Sequence, residues 1–134
     1  MTQTLDSTTT AAGAVDRYLA ALNEPDAAHR RRLVQRAWTA DGGLTDPPLA
    51  GQGHDGIASL GDALHAQYPG HAFLRTSEVD EHHARFRFSW ALTGADGFVA
   101  ATGMDTGVLA ADGRVGQVVG FFGELAPRDQ VQRG

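Results

Sequence analysis

Residues 83–92 read HARFRFSWAL, and the spacing of their apolar side chains is the strongest secondary-structure signal in the chain. Apolar side chains occupy every second position, and the positions between them are mostly polar or charged. This period of two is typical of a strand with one face on a hydrophobic core and one face in water. The apolar set is Ala84, Phe86, Phe88, Trp90 and Leu92. The sequence therefore predicts a half-buried β-strand here.

Turn signals continue this pattern towards the C-terminus. Gly94-Ala95-Asp96-Gly97 predicts a turn, and Ala111-Asp112-Gly113 is a hairpin signal. The stretches between and after them, residues 98–109 and 115–125, are predicted as two further strands. Residues 71–80 are expected to supply another strand. The second half of the chain is thus predicted to form antiparallel hairpins.

The first half of the chain has a helical period instead. Apolar residues recur three and four apart in the first predicted helix, at Val15, Tyr18, Leu19 and Leu22. A second helix is capped by Asp26; its apolar stripe ends at Trp38, and Arg30, Arg31 and Arg32 are expected on its wet side. The third runs from about Asp55 to Tyr68, with Ile57, Leu60 and Leu64 on its apolar face. Helices followed by hairpins predict an α+β domain with helices on one face of a sheet.

Length and composition set the limits of this domain and its chemistry. The chain has 134 residues, 42% of them hydrophobic, which suits one domain with a real core. We expect that domain at residues 11–126, between a flexible segment at 1–10 and a loose tail at 127–134. Cysteine and lysine are both absent from the sequence, which excludes disulfides, thiolate sites and Schiff bases. A net charge of −5 argues against nucleic-acid binding.

The sequence also lacks signals for membranes and metals. No segment approaches the roughly eighteen apolar residues of a membrane span, and the polar N-terminus lacks the pattern of a signal peptide. We therefore expect a cytoplasmic protein. His82 and His83 are adjacent, so on a strand they would point to opposite faces and could not share one ion. No metal site is predicted.

Three polar residues stand out as candidates for a functional site. Asp46 lies after a strand-like Leu44-Thr45 and before two prolines, where it either forms a turn or serves a site. Asp105 lies within a predicted strand, where it either faces water or is buried beside Gly103 and Gly107, which would leave room for a ligand. Tyr18 lies on a buried helix face, where its hydroxyl needs a hydrogen-bond partner.

These residues carry a family resemblance that covers residues 12–126. Val15–Asn23 resembles the first helix of the steroid delta-isomerases (ketosteroid isomerases), and Leu44-Thr45-Asp46-Pro47 resembles their catalytic Asp-Pro segment. Gly103-Met104-Asp105 and the downstream Phe121-Phe122-Gly123 resemble their last two strands. The wider group is the nuclear transport factor 2-like superfamily, which includes the SnoaL-like polyketide cyclases. The resemblance implies a cone-shaped, curved, largely antiparallel (mixed) sheet wrapped around three N-terminal helices, with a single pocket.

The resemblance also implies a role for each candidate. Asp46 would be the general base that moves a proton between carbons near a ketone, so that a C=C bond is transposed. Tyr18 and a protonated Asp105 would donate hydrogen bonds to the dienolate oxygen. In the ketosteroid isomerases an apolar site keeps the corresponding carboxyl neutral. No cofactor or metal is needed. A hydrophobic small molecule would bind an apolar wall, and the chain would form a homodimer through its sheet. The expected wall residues are Leu64, Phe88, Trp90, Leu92, Val118 and Phe122.

Two other functions remain open at this level. In a SnoaL-like polyketide cyclase, one carboxylate, either Asp105 or Asp46, would act on a polyketide enol. In a non-catalytic protein, the same fold would serve only for small-molecule binding or dimerisation. The residues favour the superfamily more strongly than any one of these reactions.

Overall fold

The computed structural model describes residues 10–128, which form three helices and seven strands. The predicted flexible segment 1–10 and the predicted tail 127–134 lie outside the described residues except at 10 and at 127–128. Residue 10 is Thr10, the N-cap of the first helix, whose hydroxyl accepts from the Gly13 N–H at 2.9 Å. The elements are α1 (Ala11–Asn23), α2 (Ala27–Ala37), β1 (Trp38–Thr45), β2 (Ala50–Gln52), α3 (Gly53–Gln67), β3 (Ala72–Arg75), β4 (Asp80–His82), β5 (Arg85–Thr93), β6 (Val99–Leu109) and β7 (Val115–Phe122).

The strands form one mixed, curved and unclosed sheet. Its order is β2-β1-β7-β6-β5-β3, with β4 paired to β5. All neighbouring pairs are antiparallel except β1 and β7, which run parallel. The helices α1 and α3 pack against strands of this sheet. The predicted α+β architecture is confirmed.

The core lies between the helices and the inner face of the sheet. The predicted apolar face of α1 is buried, and Tyr18 in its centre is fully enclosed. The alternation that predicted a strand at 83–92 also holds, because Phe86, Phe88 and Trp90 on β5 are buried while Arg85 and Arg87 between them are exposed. Burial of these aromatic side chains is the main source of hydrophobic stabilisation on this face.

Two expectations about α2 are wrong. Trp38 is not the last residue of the helix but the first of β1, where its ring is fully buried at 5.0 Å from the ring of Tyr18. Arg30 does not face water and is only 2% exposed. Its guanidinium pairs with Asp62 of α3 and donates to the backbone carbonyls of Glu24 and Pro25. Burial of the arginine is tolerated because each of these groups satisfies its charge or its N–H donors.

The geometry of the adjacent histidines also differs from the prediction. His83 and Ala84 have positive φ angles of 51° and 62°, so the chain reverses in a two-residue turn between β4 and β5. The His82 and His83 rings therefore do not point to opposite faces, and their Nδ1 atoms lie 3.1 Å apart. Both side chains are exposed.

No helix within residues 10–128 is both long enough and apolar enough to cross a membrane.

Candidate active site

Asp105 is the buried carboxyl at the centre of the candidate site. It lies in the middle of β6, between Phe88 on β5 and Gly120 on β7. Its side chain points inward and the residue is only 7% exposed. The alternative of an aspartate that faces water at a strand edge is therefore wrong.

Each carboxyl oxygen of Asp105 accepts a hydrogen bond from an aromatic side chain. The Tyr18 hydroxyl donates to Oδ2 at 2.6 Å, and the Trp90 indole Nε1–H donates to Oδ1 at 2.9 Å. Both donors are buried, so water does not compete with them. The arrangement brings α1 to the hairpin of β5 and β6, which lies far from it in the sequence.

Asp46 reaches the same place from the end of β1. The parallel pairing of Thr45 with Val119 carries the next residue alongside Gly120 of β7. A Cβ atom on Gly120 would lie 2.5 Å from Asp105 Oδ1 and 3.3 Å from Asp46 Cβ. The two carboxyl side chains thus flank a position that only glycine can occupy without displacing them.

Asp46 also forms the turn that its sequence context suggests. Its N–H donates to the Leu49 carbonyl at 2.8 Å, and the Leu49 N–H donates to Asp46 Oδ1 at 3.2 Å. The two prolines between these residues favour such a turn. Asp46 is half-buried, whereas Asp105 is almost fully enclosed. Asp46 therefore both forms this turn and lies beside the second carboxyl.

Burial raises the proton affinity of both carboxyls. The pKa of Asp105 is raised by desolvation and, to a smaller extent, by the negative charge of Asp46; the hydrogen bonds from Tyr18 and Trp90 oppose this rise. Desolvation also raises the pKa of Asp46, against the Leu49 N–H. Burial and then Asp105 raise the pKa of Tyr18 well above its usual range, so this phenol stays protonated. The site holds two carboxyls adapted to carry a proton.

The room expected beside Asp105 is filled by aromatic rings. A Cβ atom on Gly103 would lie 2.4 Å from Trp90 Cζ2, and one on Gly107 would lie 2.6 Å from Phe86 Cζ. The glycines therefore accommodate protein side chains, and the expectation that they leave space for a ligand is wrong.

The predicted wall residues fall into three groups. Phe88 packs against Tyr18 with ring centroids 5.8 Å apart, and Phe122 packs against Trp90 at 5.6 Å. Val118 is fully buried in the core. Leu64 and Leu92 line a separate cavity of about 10 Å³, whose lining contains none of the three polar residues of the site. Their roles in ligand binding remain predictions.

Sequence reasoning missed the second function of Trp90. It was expected only as an apolar wall, yet its N–H completes the hydrogen bonding of Asp105. The signal was present, because a buried indole N–H on the same strand face as a carboxyl requires an acceptor. Within residues 10–128, no group of three or more histidine, aspartate or glutamate side chains could hold a metal ion.

Comparison with known proteins places this chain in a family. No protein-family model matches the chain, and no curated protein matches it significantly. Among solved structures, a candidate isomerase of the SnoaL-like family from Agrobacterium tumefaciens is 39% identical, with a TM-score of 0.78 over 83% of this chain and 95% of that one.

More distant structures share the fold. A Catenulispora acidiphila protein with a ketosteroid isomerase-like fold, in complex with trimethylamine, is 12% identical with a TM-score of 0.66, over 80% of this chain and 82% of that one. A candidate SnoaL-like polyketide cyclase from Jannaschia is 17% identical with a TM-score of 0.64, over 90% of this chain and 91% of that one. The 39% identity over nearly the whole of the Agrobacterium protein shows that the chain belongs to the SnoaL-like family.

Proposed function

We propose that this protein catalyses proton transfer next to the carbonyl group of an apolar small molecule, as an isomerase that transposes a C=C bond. The observation that carries the proposal is the pair of carboxyl side chains flanking Gly120, of which Asp105 is enclosed and doubly hydrogen-bonded and Asp46 is half-buried. Two carboxyls in different environments can divide the roles of base and acid. The related Agrobacterium protein is described as a candidate isomerase, which agrees with this reaction class.

In the proposed reaction Asp46 is the base. Its carboxylate takes a proton from the carbon next to the carbonyl, and the electrons move onto the carbonyl oxygen to give a dienolate. The protonated Asp105 donates a hydrogen bond to that oxygen, where negative charge develops. Asp46 then returns the proton to the γ-carbon, so the product is an isomer of the substrate. No oxidant or reductant enters, and each proton taken is returned.

For Tyr18 we propose a different part from the one the resemblance implies. Its hydroxyl donates to Asp105 Oδ2 at 2.6 Å and is fully buried. In this arrangement it supports the dienolate oxygen through Asp105, because it orients the carboxyl and stabilises negative charge next to it. Direct donation from Tyr18 to a ligand would require this hydrogen bond to be exchanged.

The experiment is an ultraviolet assay of the conversion of a β,γ-unsaturated ketosteroid to its conjugated enone. Asp46→Asn should lower turnover by about 10²–10⁴-fold, the usual contribution of a general base. Tyr18→Phe and Asp105→Ala should each lower it strongly. Asp55→Asn is the matched control, because this carboxyl is exposed on α3 and should leave turnover unchanged. Activity that survives in Asp46→Asn would contradict the assignment of the base.

A polyketide cyclase is the second candidate, and one observation favours it. Both oxygens of Asp105 accept hydrogen bonds, a geometry suited to a carboxylate that takes a proton itself. In this reaction Asp105 would exchange a proton with a polyketide enol, and Asp46 would be secondary. Cyclisation of a polyketide substrate that is lost in Asp105→Asn and retained in Asp46→Asn would favour the cyclase over the isomerase. Ligand binding without turnover would favour the binding protein.

We also propose a homodimer through the outer face of the sheet. Val119 and Phe121 are exposed there, at 42% and 57%. A groove of about 750 Å³ is lined partly by Val119, together with Arg85, Arg87 and Gln117. Exposed apolar side chains rimmed by charged ones are typical of an interaction surface.

A further inference from the structure

We infer that Trp90 is a positioning residue of this site: its indole N–H fixes the plane of the Asp105 carboxyl and controls how readily that carboxyl gives up its proton. The inference rests on the proposed function only for its catalytic consequence. The hydrogen bond and its effect on Asp105 can be measured without any substrate.

The indole ring is held in one orientation by its neighbours. Trp90 is only 4% exposed. The ring of Phe73 packs edge-on against it, with centroids 5.2 Å apart and planes at 88°, and Phe122 packs from another side at 5.6 Å and 83°. Rotation of the indole, which is itself almost fully buried, would break both ring contacts. The N–H therefore has a fixed direction.

The sheet register aims this N–H at Asp105. Gly103 lies directly across from Trp90 on β6, and its missing side chain makes room for the ring, since a Cβ atom would be 2.4 Å from Cζ2. Asp105 follows two residues later and so faces the same side of the sheet. The indole lies over the glycine and places Nε1 2.9 Å from Asp105 Oδ1.

The two donors to Asp105 are not equivalent. The Tyr18 hydroxyl can both donate and accept, so it can adapt to either protonation state of the carboxyl. The indole N–H can only donate, so it always favours the ionised form of its partner. Burial favours the neutral form of Asp105, and the hydrogen bond from Trp90 opposes this effect. Trp90 thus limits the rise in proton affinity that burial causes at Asp105.

A nuclear magnetic resonance titration of the uniformly ¹⁵N-labelled protein tests this directly. The chain has two tryptophans, so it gives two indole N–H signals. Trp38 Nε1 is buried and has no hydrogen-bond partner among residues 10–128, so its signal serves as the internal control. The Trp90 signal should shift with pH as Asp105 ionises, and the Trp38 signal should shift much less. The Trp90 titration should persist in Asp46→Asn and disappear in Asp105→Asn.

Two variants separate positioning from packing. Trp90→Phe keeps an aromatic ring and removes the N–H. It should raise the proton affinity of Asp105 about tenfold, measured from its ¹³C carboxyl signal, because one hydrogen bond to a charged group contributes about this much. Phe122→Leu loosens the packing of the ring and keeps the N–H, so it should lower the melting temperature without a comparable change in the proton affinity.

The enone assay adds a separate readout. In Trp90→Phe the alkaline limb of the pH–rate profile should move to higher pH, because Asp105 stays protonated longer. Wild-type protein without enone activity would contradict the proposed function and leave the titration to decide the role of Trp90. A Trp90 signal that does not respond to pH, or an unchanged proton affinity of Asp105 in Trp90→Phe, would overturn the inference.

Discussion

Replacement of Asp105 by asparagine should stabilise the fold at alkaline pH while it removes the proposed chemistry. The amide can satisfy both existing partners. Its carbonyl can accept from Trp90, and its NH₂ group can donate to Tyr18, whose hydroxyl then turns to accept. The number of hydrogen bonds to the side chain is kept, although the Tyr18 O–H gives up its present acceptor, and the burial of a charge is avoided.

The sign and size of the effect follow from proton binding. The pKa of Asp105 is raised above its usual 3.8, so the folded state binds this proton more tightly than the unfolded state. The stability of the wild type therefore falls as pH rises from the unfolded pKa through the folded pKa, and stays lower above it. Each tenfold difference in proton affinity corresponds to about 1.4 kcal/mol.

We therefore expect Asp105→Asn to be more stable than the wild type at pH 8, by about 1.4 kcal/mol for each tenfold by which folding tightens proton binding to Asp105. This margin should shrink towards zero below the unfolded pKa of 3.8. In a domain of this size, each 1 kcal/mol of that margin raises the melting temperature by about 4 °C. Urea unfolding and calorimetry at constant ionic strength give both quantities, with Asp55→Asn as the exposed control. An Asp105→Asn variant that is less stable than the wild type at pH 8 by 1 kcal/mol or more would contradict this expectation, because the hydrogen bonds to the carboxylate would then outweigh the cost of its burial.

Three further predictions concern packing and assembly. Gly103→Ala should destabilise the fold by about 3 kcal/mol in urea, because the new methyl group overlaps the Phe121 carbonyl oxygen and the Trp90 ring; an unchanged midpoint would contradict this packing. Arg30→Met should cost about 2–3 kcal/mol, because it leaves two backbone carbonyls without their donor; a loss below 0.5 kcal/mol would show that water replaces the arginine. The protein should elute as a dimer in light-scattering chromatography and Val119→Asp as a monomer, whereas a wild-type monomer would exclude assembly through this face.

Much of the fold could be predicted from local patterns. The alternation of Phe86, Phe88 and Trp90 identified the buried face of β5, and the spacing of Val15 and Tyr18 identified that of α1. These predictions succeeded because side-chain direction in a strand or helix follows from position alone.

Features that depend on distant partners could not be predicted in the same way. The burial of Arg30 requires Asp62, which lies 32 residues away, so a run of arginines looked like a wet surface. Trp38 continues the apolar spacing of α2, and no glycine or proline precedes it to mark the end of the helix. The start of β1 at Trp38 could therefore not be predicted.

The proximity of Asp46 to Gly120 depends on the parallel pairing of β1 with β7, which hairpin signals do not reveal. The resemblance to the isomerases nevertheless grouped Tyr18, Asp46 and Asp105. The direct hydrogen bond of Tyr18 to Asp105 and the donor role of Trp90 emerged only from the packed interior.

The role of Asp46 as the base is tested by the rate of conjugated-enone formation from a β,γ-unsaturated ketosteroid, measured side by side for the wild type and Asp46→Asn. Turnover in the wild type and a loss of about 10²-fold or more in Asp46→Asn, with the fold intact by circular dichroism, is the predicted result. Equal rates in the two proteins, or no turnover by the folded wild type, would contradict it.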